Sequence, residues 1–513
     1  MRREILAALS LANLWYLRLW SELLTYSRAD TYLMVHPPRP VDYLAVIVNV
    51  LAATCVFLLL RAAARRMLDK RSYRFAEMAF VASFAIPLNS MREVLGKQFP
   101  YFKSPLFDAI GVSGVWALAL VLGIAGAAVV IFYSRPVARG AVAVLAALSP
   151  FCAVTFGQAA WKAAHYDDTM FRNKPAAPLV AGAKHFPRVV WFICDEWDFR
   201  LTFRDRDRTL GLPEIDRLAK ESLHASNAYP PGGGTPESIP SYYLGKLYSP
   251  VWYLDARRIA IVPKGGKRAE VLGQQPNVFD RARGLGYNTG LLEWFHPSCR
   301  VLDGLNFCEW WPMARQYNSM GDTFFEIAPH QARSLVESNL FSPFGRPMTA
   351  DQHTGVYRAM VSEARKLIVN PDYGFSIVHL PIPHNPFMYD RRTGTFTLGN
   401  SPIKGYVDHL ALLDLTIGEL RRTMEQAGLW DSTTVLFTSD HEYREAEALD
   451  GKSDKRIPYL LKLASQKEGV SYDRAFNTVV TSDLLMAVLR GEVTDAAGAA
   501  AWLDANRERF PVR

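Results

Sequence analysis

The sequence predicts an N-terminal bundle of about five transmembrane helices followed by an α/β domain with a largely parallel central sheet. Three observations predict it. Long apolar runs fill the first 160 of 513 residues, whereas short apolar strands alternate with helix-like stretches from residue 188 onward. The charge is also divided. Residues 1–160 hold 16 Lys and Arg against 8 Asp and Glu, so the chain's net charge of +8 belongs to the apolar first third, and residues 161–513 balance at 42 against 42. Finally, 50% apolar residues and a mean hydropathy near zero exclude a disordered chain. A neutral second part also removes the main argument for a nucleic-acid groove.

The apolar runs are 5–26, 43–60, 75–94, 106–133 and 140–160, each near the length a bilayer needs. The second and fourth are the most continuous. The first carries Arg18 and Glu22, four apart on one helix face. They either pair within a span or mark an interfacial helix. The N-terminal tail and the segments 61–74 and 134–139 hold ten basic residues, and the segments on the opposite side hold five. That bias predicts a cytoplasmic N-terminus. An odd number of spans then carries everything after about residue 160 to the outer side. The first run has no small-residue cleavage site, which argues against a removed signal peptide.

The domain boundaries follow: 1–160 transmembrane, 161–187 a polar connector, 188–495 the α/β domain and 496–513 a tail. Of the five cysteines, Cys55 and Cys152 lie in apolar runs and Cys194 ends a strand. Cys299 and Cys308 flank a short polar loop. In an oxidising compartment they would close it; otherwise they are two thiols.

In the α/β part, strands are expected at 188–194, 286–294, 373–380, 433–439 and 456–463. Segment 404–427 repeats Leu410, Leu413, Leu420 and Met424 at helical spacing. Parallel sheets bind ligands beyond the carboxyl ends of their strands, so the residues following each strand are the ones to inspect. Asp195 and Glu196 follow the first, His296 the second, His384 the third, and Asp440 with His441 the fourth. One such Asp is ordinarily a helix cap. Carboxylates and imidazoles converging from several strands suit a divalent cation. Thr235 follows three glycines and precedes Pro236, at the start of a helix-like stretch. Beside a metal and a helix N-terminus its hydroxyl would be activated as a nucleophile. Taken alone, it also reads as an N-cap.

Together these residues resemble the alkaline phosphatase and sulfatase superfamily over about 188–490. Asp195 and Glu196 match the metal-binding acids after the family's first strand. Thr235 lies ten residues before Gly245, at the nucleophile's spacing. Pro383-His384-Asn385-Pro386 is similar to the substrate-contacting element, Ser439-Asp440-His441 to the metal motif, and Arg456-Ile457-Pro458 to the strand after it. The departures concern the substrate. Sulfatases oxidise a Cys or Ser to formylglycine, and threonine cannot give it. The lysine of the Gly-Lys-Trp-His element is lost and His296 is kept, while Glu442 stands where glycine is usual. No aspartate stands four before a histidine to build a second metal site, so one divalent metal is expected.

Five spans before such a domain resemble the phosphoethanolamine transferases of lipid A and the lipoteichoic acid synthases. The resemblance implies a membrane-bound phospho-group transferase. Asp195, Asp440 and His441 would hold the metal, with Glu196 and the Thr235 oxygen as further ligands. Thr235 would carry the phospho-headgroup, while His384 and His296 serve the leaving group or acceptor. A membrane phospholipid would be the donor and an envelope glycan or lipid the acceptor. A phosphate, phosphodiester or sulfate ester hydrolase of the same fold is the first alternative. A non-catalytic recognition module is the alternative of another class.

Overall fold

The computed structural model describes residues 2–98, 103–313, 321–340, 347–398 and 402–512. It divides into two units. The first comprises Met1–Ser27, His36–Asp167 and Met320–Phe344, and the second Arg28–Val35, Asp168–Ser319 and Gly345–Arg513. The exchange of two short segments between the units was not legible in the sequence. Residues 320–344, expected in the α/β domain, pack within the first unit. There Asn49 Nδ2 donates to the Ala328 carbonyl at 2.9 Å and Gln331 Nε2 to the Asp42 carbonyl at 3.0 Å. Residues 28–35, expected beside a membrane span, belong to the second.

The first unit is helical. Among the described residues, two helical stretches are long and apolar enough to cross a membrane, Pro40–Met67 and Leu120–Leu148. Leu59, Leu60, Leu120 and Phe132 face outward from them, each more than 60% exposed. The 5–26 run forms two helices, Arg2–Trp15 and Leu17–Leu24, and Arg18 Nε meets Glu22 at 3.3 Å. The 75–94 run is likewise divided, between Lys70–Ala82 and Ala85–Gln98. One expectation needs correction. The loop expected at 134–139 lies inside a single helix, Lys103–Leu148. Two arginines do not end a helix, and Arg135 is matched by Glu77 at 3.2 Å. The break comes at Ser149, where Pro150 has no amide hydrogen to bond back to the preceding turn and opens the next helix at its first position.

The second unit is built on an eight-stranded sheet. Its strands are β1 (Arg188–Cys194), β2 (Leu223–Ala225), β3 (Thr289–Trp294), β4 (Phe307–Trp311), β5 (Phe375–Leu380), β6 (Thr433–Ser439), β7 (Tyr459–Lys462) and β8 (Val470–Tyr472). Their order is β8-β2-β7-β6-β1-β5-β3-β4. Only β7 runs against the others. β1 is buried along its whole length, and its side chains alternate between two cores. Val189, Trp191 and Ile193 join the core that includes helices Thr235–Leu244 and Thr481–Arg490. Val190, Phe192 and Cys194 join the core under Pro213–Glu221 and Pro402–Gln426. Helices on both faces explain why the central strands are buried throughout rather than on alternate residues.

Register then positions the site. Cys194 of β1 pairs with Ser439 of β6 and with Leu380 of β5, so the residues that follow these strands emerge at one sheet edge. Cys299 and Cys308 are joined in a disulfide, Cys308 being the second residue of β4.

Candidate active site

Asp195 leaves β1, and Asp440 and His441 leave β6. The three offer ligand atoms within 4.8 Å of one another, all fully buried. The backbone fixes them. Asp440 Oδ1 accepts from the amides of His441 at 2.9 Å and Glu196 at 3.2 Å. Ser439 Oγ lies 2.7 Å from the Cys194 carbonyl and accepts the Trp197 amide at 2.8 Å, tying the two strand ends together. His441 Nδ1 donates to the Glu442 carbonyl at 2.8 Å, which turns Nε2 to the carboxylates, 3.4 Å from Asp440 Oδ2.

Thr235 completes the group. The N-cap of its helix is Gly234, so Thr235 is the first helical residue and its hydroxyl caps nothing. Oγ1 lies 2.7 Å from Asp440 Oδ2, 3.0 Å from Asp195 Oδ2 and 3.4 Å from His441 Nε2. The turn before it needs glycine at 232, where a Cβ would stand 2.6 Å from Glu237 Cβ.

These residues suit a divalent cation. Two buried carboxylates and the His441 Nε2 nitrogen converge, and Asp195 Oδ1 has no hydrogen-bond partner among the described residues. The electrostatics agree. Burial opposes charge on Asp195, yet the imidazoles of His384, His379 and His441 hold its carboxyl below the usual range. Burial and the neighbouring Asp195 push Asp440 up. Burial opposes charge on His441 too, but the two carboxylates raise it. Two carboxylates this close do not both ionise without added positive charge.

Glu196, expected as a further ligand, is directed elsewhere. Its φ of 63° turns the chain after Asp195, and its Oε1 accepts from Arg444 Nε at 3.0 Å and Nη2 at 2.9 Å. Its Oε2 faces His384 Nε2 at 4.0 Å. Arg444 is half-exposed and lies beside the turn before Thr235: a Cβ on Gly234 would lie 3.8 Å from its Nη1.

His296 has both nitrogens occupied. Nε2 donates to the Thr235 carbonyl and Nδ1 accepts from the Tyr32 hydroxyl, each at 3.2 Å. Burial lowers this imidazole to about 3, so the ring is neutral and its tautomer follows from the carbonyl, which only accepts. It braces the backbone of Thr235.

Sequence reasoning missed a second layer. His379, inside β5, lies between Asp195 Oδ2 at 3.5 Å and Glu293 Oε1 of β3 at 2.7 Å. Glu293 Oε2 in turn accepts from Tyr243 and, at 3.2 Å, from Ser298. Burial works against charge on His379, but the two carboxylates raise it to about 10. Trp294, where the resemblance expected lysine, is fully buried against the rings of His353, His379 and His384. An ionisable residue within an apolar strand was the available signal for both His379 and Glu293.

Comparison with known proteins follows the same residues. None of the curated proteins compared with the chain matches it. Among solved structures it is similar to a protein in the alkaline phosphatase superfamily from Vibrio parahaemolyticus. The identity is 15%, the TM-score 0.39, and the likeness covers 62% of this chain and 68% of that one. It is also similar to the phosphonate monoester hydrolase of Agrobacterium radiobacter (14%, TM-score 0.39, 59% and 74%). A third likeness is to the PsFucS1 sulfatase from Pseudoalteromonas sp. (15%, TM-score 0.42, 59% and 67%). The model of the family described as Sulfatase matches residues 187–490. That span is more than half of the chain and runs from the first strand past the last residue of the buried Asp–Asp–His group, and the chain belongs to the sulfatase family.

Proposed function

We propose that this enzyme is a membrane-bound, divalent-metal-dependent phospho-group transferase that moves a phospholipid headgroup through Thr235 onto an envelope glycan or lipid. The observation that carries the reading is the Thr235 hydroxyl, held within 3.0 Å of both carboxylates. A threonine there cannot become formylglycine, which disfavours sulfate esters, and it can carry a phosphoryl group covalently.

A divalent ion bound by Asp195, Asp440 and His441, with Glu196 outside that set, would supply charge stabilisation and ease loss of the hydroxyl proton. The chain's own groups do the rest. Thr235 Oγ1 passes its proton to Asp440 Oδ2, 2.7 Å away, and forms the bond to phosphorus as the bond to the diacylglycerol oxygen breaks. His384, whose Nε2 faces Glu196 Oε2 at 4.0 Å, gives the leaving oxygen its proton. The acceptor hydroxyl then attacks the phosphothreonine, its proton returns to His384, and Thr235 Oγ1 recovers its own proton from Asp440. His296 holds the backbone of Thr235 throughout.

The membrane part of the reading draws on two long apolar helices with outward-facing side chains. It includes about five spans and a catalytic unit on the outer side. The disulfide between Cys299 and Cys308 favours the oxidising side of the membrane. A reporter active only in the cytoplasm, fused after Arg513, should stay silent.

Intact mass of the full chain, after incubation with vesicles of phosphatidylethanolamine or phosphatidylglycerol, tests the chemistry. The expected result is a phospho-headgroup on Thr235. Free headgroup released to water with no acceptor requirement would instead identify a hydrolase, and an unmodified, metal-free protein a recognition module.

A further inference from the structure

The segment Arg28–Val35 belongs to the catalytic unit although the chain on both sides of it belongs to the helical one. Its central residues Ala29–Leu33 form a short 3-10 turn. Tyr32 is fully buried there, its ring stacked on Tyr253 with centroids 4.4 Å apart and planes 8° from parallel. The backbone of the segment is gripped as well. Arg300, also fully buried, donates from Nη2 to the Tyr32 carbonyl at 2.7 Å and from Nη1 to the Met34 carbonyl at 2.8 Å. Its guanidinium lies against the rings of Trp310 and Phe171, and it directly follows Cys299 of the disulfide.

Packing explains the ring of Tyr32 but not its hydroxyl. A phenylalanine would keep the stack and the burial without a polar atom to satisfy. The hydroxyl instead reaches His296 Nδ1 at 3.2 Å, and His296 Nε2 reaches the Thr235 carbonyl at 3.2 Å. The result is a buried relay of three groups that ends on the backbone of the nucleophile. A backbone carbonyl held from the side fixes the peptide plane at the first residue of the helix, and with it the direction of Thr235 Oγ1.

We infer that Tyr32, acting through His296, is a positioning residue for the Thr235 nucleophile, and that the catalytic unit is incomplete without the Arg28–Val35 segment. The inference deepens the phosphothreonine reading and its kinetic arm rests on it. It gives a segment more than 200 positions before Thr235 a defined task, and it makes an excised fragment beginning after residue 168 a misaligned enzyme.

A double-mutant cycle on the full chain tests it, with Tyr32→Phe, His296→Ala and the pair together. The first readout is kcat and KM toward bis-p-nitrophenyl phosphate. Tyr32→Phe should lower kcat roughly 2–10-fold, the size of one hydrogen bond, with KM unchanged. Added to His296→Ala it should change kcat by less than about twofold, because the relay is already cut. The second readout needs no turnover: amide exchange in residues 231–240, measured by mass spectrometry. Exchange should rise in each single variant and no further in the double. A wild-type chain inert toward the ester would reject the phosphothreonine reading alone, and the exchange cycle would still decide the relay. Multiplicative losses, a change in KM only, or exchange at 231–240 unaltered by Tyr32→Phe would overturn the inference.

Discussion

Thr235 and Asp440 meet at 2.7 Å although 205 positions separate them, one at the start of a helix and the other at the end of β6. The hydroxyl is nearer to Asp440 Oδ2 than His441 Nε2, which stands 3.4 Å away, and it lies almost as near to Asp195. A buried hydroxyl shared by two acids is poised to lose its proton once a cation is present. Thr235→Ala should therefore abolish the covalent intermediate and reduce turnover to background. Metal content should stay near wild type, since Asp195, Asp440 and His441 remain. The helix should hold as well, because Gly234 and not Thr235 is its cap. Near-normal turnover in this variant would falsify the nucleophile assignment.

Metal and fold should be linked. A ligand that binds only the folded chain stabilises it, by about 2.7 kcal/mol at a hundredfold excess over Kd. Stripping the protein with a chelator should lower its melting temperature, and adding back divalent ions should restore it. Asp440→Asn removes a charged ligand and should lose both the bound metal, by elemental analysis, and the chelator response. Glu196→Gln should keep its metal, because the Glu196 carboxylate is engaged by Arg444.

The second unit also contains a pH-dependent element away from the site. Lys462 on β7 is 1% exposed, its ammonium donating to the Trp430 carbonyl at 3.0 Å over the Trp430 ring. Burial lowers it to about 8. Unfolded, it titrates near 10.4. Between these values the unfolded chain binds more protons, so this group makes stability rise with pH across that window. Below about pH 8 its full cost is present. Lys462→Met removes the dependence. Chemical-denaturation midpoints of the two chains should converge or cross in favour of the wild type between pH 7.5 and 10.5. A constant difference would show that Lys462 does not titrate there.

The legible parts of this molecule were those written locally. β1 and β6 are seven-residue strands rich in β-branched and aromatic residues, and the acids after them stand where a parallel sheet presents its ligands. β2 and β8 have three residues each and carry no period of their own; only pairing with β7 and with each other makes them strands. His379 and Glu293 were hidden for the opposite reason, since apolar neighbours on β5 and β3 masked them as core. The helix through 134–139 was misread because charge was allowed to end it. Tyr32 was invisible in principle: its partner His296 is 264 positions away, and nothing local marks the contact.

Arg444 gives the sharpest remaining test of substrate charge. It is the half-exposed guanidinium at the mouth, and its two donors to Glu196 hold it beside the Gly234 turn. The planar fork left over suits an oxyanion approaching Thr235. Arg444→Ala should raise KM for an anionic ester such as bis-p-nitrophenyl phosphate by roughly 10–100-fold, the size of a charge-assisted hydrogen bond at 1.5–3 kcal/mol. Arg444→Lys keeps the charge but not the fork and should fall between. Metal content should not move in either variant, because Glu196 lies outside the Asp195–Asp440–His441 group. Should kcat fall while KM holds, Arg444 would be acting on the transition state rather than on binding. Should metal be lost instead, Glu196 released from Arg444 would be reaching into the ion site, and the division between ligands and anion clamp would have to be redrawn.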